Sequence, residues 1–157
     1  HKSYAHPGGV YAYRITWRGK SIVYATDTEG YVGTDKRLVA FAQNADLLIH
    51  DAQYSDEHYW GDLAGFPSTQ GYGHSTASMA CAVATAARVK ALILFHHDPS
   101  YSDEMVAGLE AAGKEIFSMT QAAYEGLEIA LPEESKITER LQSPNLKLRD
   151  VKYAHHD

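Results

Sequence analysis

The sequence is short of cysteine, of long apolar runs and of positive charge, and each shortage excludes a class of protein. A single cysteine, Cys81, occurs in 157 residues. It cannot close an internal disulfide, which excludes a stapled secreted scaffold and points to a reducing, cytoplasmic setting. No apolar run reaches the ~20 residues a membrane-spanning helix needs. The N-terminus also lacks the charged-then-apolar plan of a secretory signal, so no membrane partner is expected. Lys and Arg number 14 against 20 Asp and Glu, a net charge of -6. That balance argues against a broad nucleic-acid-binding surface and favours a small-molecule partner over a nucleic acid.

What remains is a globular composition, 45% hydrophobic and 22% charged, which can bury a core and excludes a disordered tail or a collagen-like fibre. The length suits one domain. Nine histidines are many for this size, and the first residue is His1 in place of Met. The chain is therefore expected to start inside a longer protein.

Val10 to Trp17 and Ser21 to Thr26 are β-branched and aromatic runs around the break Arg18-Gly19-Lys20, which reads as a hairpin. Leu38, Val39, Phe41 and Ala42 fall at helical spacing within 36–44. Leu47-Leu48-Ile49 and Ala91-Leu92-Ile93-Leu94-Phe95 are compact apolar runs that suit buried strands. Residues 53–73 show no sustained period and read as a long loop, with Trp60, Phe66 and Tyr72 making it a substrate-selecting lid. Ser75 or Thr76 caps an alanine-rich helix to about Arg88, and Ser102 or Asp103 starts another to about Phe117. Residues 121–131 read as a last strand, and 132–157 as a polar extension or linker. The predicted order β-β-α-β-α-β-α-β is that of an α/β protein.

The histidines and acids fall in register with this order. Asp27 ends the second strand, His50-Asp51 the third and His96-His97-Asp98 the fourth, while His74 precedes a helix. Open α/β sheets gather ligands beyond the carboxyl ends of their strands. Imidazole with carboxylate suits zinc or another borderline divalent ion. For any one histidine a structural hydrogen bond explains as much as ligation, and their recurrence at strand ends is what points to a site.

Five segments carry a family resemblance: His6-Pro7-Gly8-Gly9-Val10-Tyr11-Ala12-Tyr13-Arg14-Ile15, Tyr24-Ala25-Thr26-Asp27-Thr28, Asp46-Leu47-Leu48-Ile49-His50-Asp51-Ala52, Gly73-His74-Ser75-Thr76 and Leu92-Ile93-Leu94-Phe95-His96. In this order they resemble consecutive motifs of the metallo-β-lactamase superfamily, nearest its ribonuclease Z and phosphodiesterase branch. The resemblance runs from about residue 6 to 131. It implies the C-terminal half of an αββα sandwich and a metal-dependent hydrolase acting on a phosphodiester, with a hydroxide held between two divalent ions, zinc first and manganese or iron as alternatives. It assigns His6 to the first metal, Asp27 to a bridge and His96 to the second metal. His74 resembles the histidine that contacts the scissile phosphate and assists the leaving group, and Asp51 the acid that orients it. His97 stands where the family varies.

The family's His-x-His-x-Asp-His signature has no counterpart in these 157 residues. The chain is therefore expected to be a partial domain, 1–131, active when an N-terminal half completes it, with one sheet face left uncovered. A small phosphodiester or nucleotide is the expected substrate, and a homo-oligomer is compatible with the pattern. The rivals are hydrolysis of a thioester or lactone at the same site and a non-catalytic half-domain that binds a partner.

Overall fold

A computed structural model describes residues 1–3, 5–30 and 33–131, and the extension expected over 132–157 lies outside them. The chain divides into two units, His1–Ala123 and Tyr124–Asp157. In the second, Tyr124 to Leu127 form a turn closed by Leu127 N–H donating to the Tyr124 carbonyl at 3.1 Å.

The first unit runs β1 (Lys2–Ser3), β2 (Val10–Tyr11), β3 (Tyr13–Trp17), β4 (Lys20–Ala25), α1 (Lys36–Ala42), β5 (Leu47–Asp51), α2 (Asp56–Trp60), α3 (Ala77–Ala87), β6 (Leu92–Phe95), α4 (Asp103–Ile116) and β7 (Thr120–Ala122). β1 and β2 form a two-stranded ribbon, and β3-β4-β5-β6-β7 form one sheet in that order. The β3–β4 hairpin is antiparallel, whereas β4, β5, β6 and β7 run parallel. This is the expected α/β arrangement, with β1 as an element the sequence reading did not contain and three corrections to those it did. The single run expected over 10–17 is two strands, because the chain changes partner at Ala12, whose backbone exchanges hydrogen bonds with His1. The loop expected over 53–73 contains α2, closed by the Ser55 N-cap and by Gly61 at φ 86°. The last strand ends at Ala122 because β6 supplies no partner beyond Leu94.

The core lies on one face of the sheet. Val23, Ala25, Leu48, Leu92 and Leu94 pack there against Ala80, Cys81, Val83, Ala84 and Ala87 of α3, with Leu38 of α1 and Leu109 of α4. α3 meets the sheet and both neighbouring helices, so it carries small residues on several sides, and Ala80, Cys81, Ala84 and Ala87 are fully buried. Close approach requires that smallness: a Cβ on Gly113 of α4 would sit 2.9 Å from Thr120 Cγ2. Cys81 is free and buried, and burial pushes its thiol pKa up, which fits the small apolar role expected of it. On the other face, among the described residues, Tyr13, Ile15, Trp17, Tyr24 and Phe95 are exposed, Trp17 by 70%, while Leu47 and Ile93 are buried.

The helix ends follow the capping rules. Asp35 accepts from Arg37 N–H and Leu38 N–H at the start of α1, Thr76 from Met79 N–H at α3, and Ser102 from Met105 N–H at α4, each worth ~1 kcal/mol. At the other end of α1 the Arg14 guanidinium donates to the carbonyls of Phe41 and Gln43. No helix among the described residues is long and apolar enough to cross a membrane.

Asp46 ties the amino ends of the strands together. Its Oδ2 accepts from Ser21 N–H at 2.7 Å and its Oδ1 from Lys90 Nζ at 2.8 Å, with Lys20 Nζ 3.8 Å away. Burial alone would raise its pKa; the Lys90 and Ser21 hydrogen bonds and the two lysine charges outweigh that and hold it below the usual value. A carboxylate held low in the folded state adds stability above its unfolded pKa, ~4, and loses that contribution as pH falls through the folded value. Urea denaturation between pH 2 and 7 should show an acid limb that flattens in Asp46→Asn, together with a loss of about 1–3 kcal/mol at pH 7. An unchanged acid limb would assign the pH dependence elsewhere.

Candidate active site

Parallel strands deliver their carboxyl ends to one edge of the sheet, and three site residues arrive there on adjacent strands. Asp27 follows β4, Asp51 is the last residue of β5 and His96 follows β6. His6 comes from the turn between β1 and β2, and His74 from the loop before α3. The structure brings all five together. Ligand atoms of His6, Asp27 and His74 lie within 4.8 Å of one another, and so do those of Asp51, His74 and His96. Neither group includes His50, His97 or Asp98. His50 points into the core, where burial lowers its pKa. Asp98 braces its own turn, accepting from the Ser100 N–H and hydroxyl, as expected.

Asp51 is fully buried and each carboxylate oxygen meets two donors. Oδ1 accepts from Gln53 N–H at 3.2 Å and Ser75 N–H at 3.1 Å. Oδ2 accepts from Thr28 N–H at 3.2 Å and pairs with His74 Nδ1 at 2.7 Å. That bond commits Nδ1 and leaves Nε2 as the outward nitrogen of His74. Burial would lower the His74 pKa; the Asp51 hydrogen bond, with the charges of Asp51, Asp27 and Glu29, raises it above the ordinary value. Ser75 adds a second tie, its hydroxyl donating to the Thr28 carbonyl and accepting from Gly30 N–H. Thr76 takes the capping role, and Ser75 the bridging one.

The remaining rings are oriented by contact. The His74 ring stacks on His96 at 4.9 Å with planes 6° apart, and meets His6 edge-on at 5.1 Å. His6 Nδ1 is bonded to the Pro7 carbonyl at 3.0 Å, so Nε2 carries the free lone pair. His96 Nε2 lies 3.3 Å from Asp27 Oδ1, while its Nδ1 is buried with no hydrogen-bond partner among the described residues. Asp27 and His96 both adopt left-handed backbone, φ 55° and 63°. That conformation costs ~1–2 kcal/mol in an L-residue and collects at functional sites. Tyr54 is edge-on to His74 at 6.2 Å. Burial, with the charges of Asp98 and Asp51, pushes its hydroxyl pKa up to about 12, so it stays a neutral donor.

These residues fit a divalent metal centre by donor type: three imidazoles with outward or unpartnered nitrogens and a carboxylate that two ions can share. They fall short in number, since sites of this kind take three or four protein donors per ion. Of the expected lid, Trp60 and Tyr72 are exposed, whereas Phe66 packs on His58 and Tyr101. Sequence reasoning passed over Glu29, which is buried beside the site. Its only signal was an acid within a turn. Asp51→Asn should destabilise by about 1–3 kcal/mol for each donor left facing the new amide, read by urea denaturation. A loss under ~0.5 kcal/mol would remove Asp51 from this organising position.

A family model described as a beta-lactamase superfamily domain matches residues 1–97. A ribonuclease Z of Archaeoglobus fulgidus is 39% identical over 119 residues, which are 74% of this chain and 35% of that protein. The chain thus spans about a third of the length of the curated relatives it matches. Among solved structures, the metallo-beta-lactamase fold protein YhfI of Bacillus subtilis superposes with a TM-score of 0.62 at 25% identity, covering 78% of this chain and 44% of that one. The short form of human tRNase Z superposes with a TM-score of 0.59 at 22% identity, covering 82% and 39%, and shares the fold. With its sheet, its strand-end acids and histidines and these matches, the chain belongs to the metallo-β-lactamase superfamily, on its ribonuclease Z-like branch.

Proposed function

We propose that the chain carries part of the catalytic centre of a metal-dependent phosphodiester hydrolase. The observation that carries this reading is the convergence of His6, Asp27, His74 and His96 at one sheet edge with His74 Nδ1 held by buried Asp51. His6 would hold one ion, His96 a second, and Asp27, 3.3 Å from His96, would bridge them. Two zinc ions suit the nitrogen-rich set best, with manganese or iron as alternatives. When bound, such ions supply Lewis acidity, neutralise charge on phosphoryl oxygens and activate water.

The chain's own residues do the rest. Asp51 fixes His74 in one orientation and favours its protonated form, so Nε2 can hold a proton toward the departing alkoxide. Tyr54 keeps its hydroxyl protonated against the same ring. Relatives named ribonuclease Z support an RNA phosphodiester as the substrate class, ahead of the small nucleotide expected from the acidic composition. The division into a hydrolase part over 1–131 and an extension over 132–157 belongs to the same proposal, as does a cytoplasmic setting.

Hydrolysis of bis(p-nitrophenyl) phosphate and of a short RNA by the full-length zinc-loaded protein tests the reading. Asp27→Asn and His96→Ala should lose bound zinc and at least ~100-fold in kcat, and EDTA should abolish activity. His74→Ala should keep zinc yet lose ~10²–10⁴-fold in kcat. Loss of zinc in His74→Ala would make it a ligand instead. Thioester or lactone hydrolysis without phosphodiester hydrolysis would replace the substrate class, and an inert, zinc-free protein would favour a binding module.

A further inference from the structure

Glu29 is 2% exposed, and among the described residues no lysine or arginine forms an ion pair with it. A buried carboxylate without a counter-cation is expensive unless several donors meet it. Three do. Tyr59 Oη donates to Oε1 at 2.6 Å, Gly71 N–H to Oε1 at 2.7 Å and Gly73 N–H to Oε2 at 2.9 Å. The same residue's backbone N–H donates to the Ala5 carbonyl at 3.0 Å. Glu29 thus holds the residue before His6 through its main chain and the residue before His74 through its side chain.

Gly73 shows why the hold matters. It sits at φ 93°, and a Cβ there would come within 2.7 Å of Pro7 Cδ and 2.8 Å of His6 Cδ2. The loop backbone is therefore pressed directly onto His6-Pro7, at the place where the His6 and His74 rings meet at 5.1 Å. Gly71 and Gly73 flank exposed Tyr72, and the Glu29 carboxylate accepts the N–H of each, alongside the Asp51 bonds that hold His74 and Ser75 next in the chain.

Resting on the function proposed above, we infer that Glu29 is a positioning residue: its carboxylate clamps the backbone at Gly71 and Gly73 and so sets the placement of His74 against His6. The clamp acts on geometry and touches no reacting atom.

Glu29→Gln separates this from a general stabilising role. A glutamine offers one acceptor and one amide group. If the amide replaces Oε2, it faces Gly73 N–H; if it replaces Oε1, it faces Gly71 N–H. Either way one glycine amide loses its acceptor. In the full-length zinc-loaded protein, NMR hydrogen exchange at Gly71 or Gly73 should accelerate at least ~10-fold while core amides such as Leu48 and Leu92 stay protected. With bis(p-nitrophenyl) phosphate, kcat should fall ~10–100-fold and KM change less than ~3-fold. Tyr59→Phe keeps both glycine acceptors, should fold normally and should show a smaller fall in kcat with both glycine amides still protected. Gly73→Ala should weaken the nuclear Overhauser contact between the His6 and His74 rings. Unchanged exchange at both glycines, or faster exchange with kcat unaltered in an active protein, overturns the inference. If the parent protein hydrolyses no phosphodiester, the functional reading fails, and the exchange and ring-contact measurements decide the clamp on their own.

Discussion

A carboxylate sealed from water must be satisfied by the protein around it, and Asp51 imposes that requirement on the whole site. Its four donors come from the turn after β4, the residues just beyond β5 and the loop that opens α3. Leaving one unmade costs ~1–3 kcal/mol, more than most single contacts contribute. The three segments therefore have to arrive together. Ser75, bonded to both Thr28 and Gly30, locks the same joint a second time. His74 takes its direction from this arrangement.

Around that joint the fold spends stability on geometry. Asp27 and His96 both hold left-handed backbone just beyond parallel strands, and the strands beneath them are rigid because their core-facing residues are buried. Val23, Leu48, Leu92 and Leu94 are at most 0% exposed, each contributing ~1.5–3 kcal/mol when buried. The alanine face of α3 permits the close helix–sheet packing that makes this possible. Stability gathered on one side of the sheet supports strain at its edge.

The fold was largely legible. β5 and β6 are apolar on both faces, so they read as continuous runs. Two helix starts were marked by Ser75 or Thr76 and by Ser102 or Asp103, of which Thr76 and Ser102 are the caps; the Asp35 cap of α1 was not read. The failures have local causes. Ala12 carries no mark that the chain changes partner there. α2 spans five residues, too few for a period to emerge, and only its caps Ser55 and Gly61 hinted at it. The length of β7 depends on β6, which no pattern within 121–131 could report. The five expected site residues were visible because they sit at strand and loop ends in an order that matched family motifs. Glu29 was invisible because its meaning lies in donors 30, 42 and 44 positions away.

By itself the sequence determined the alternation of strands and helices, the residue types at the strand ends and the family, since these depend on local periodicity and on ordered motifs. Only the tertiary structure decided which nitrogen of His74 faces outward, which acids are buried and how the loop over 69–73 is held. Those features depend on burial and on pairing between segments far apart in the chain. A buried carboxylate acquires its role only when distant donors close around it.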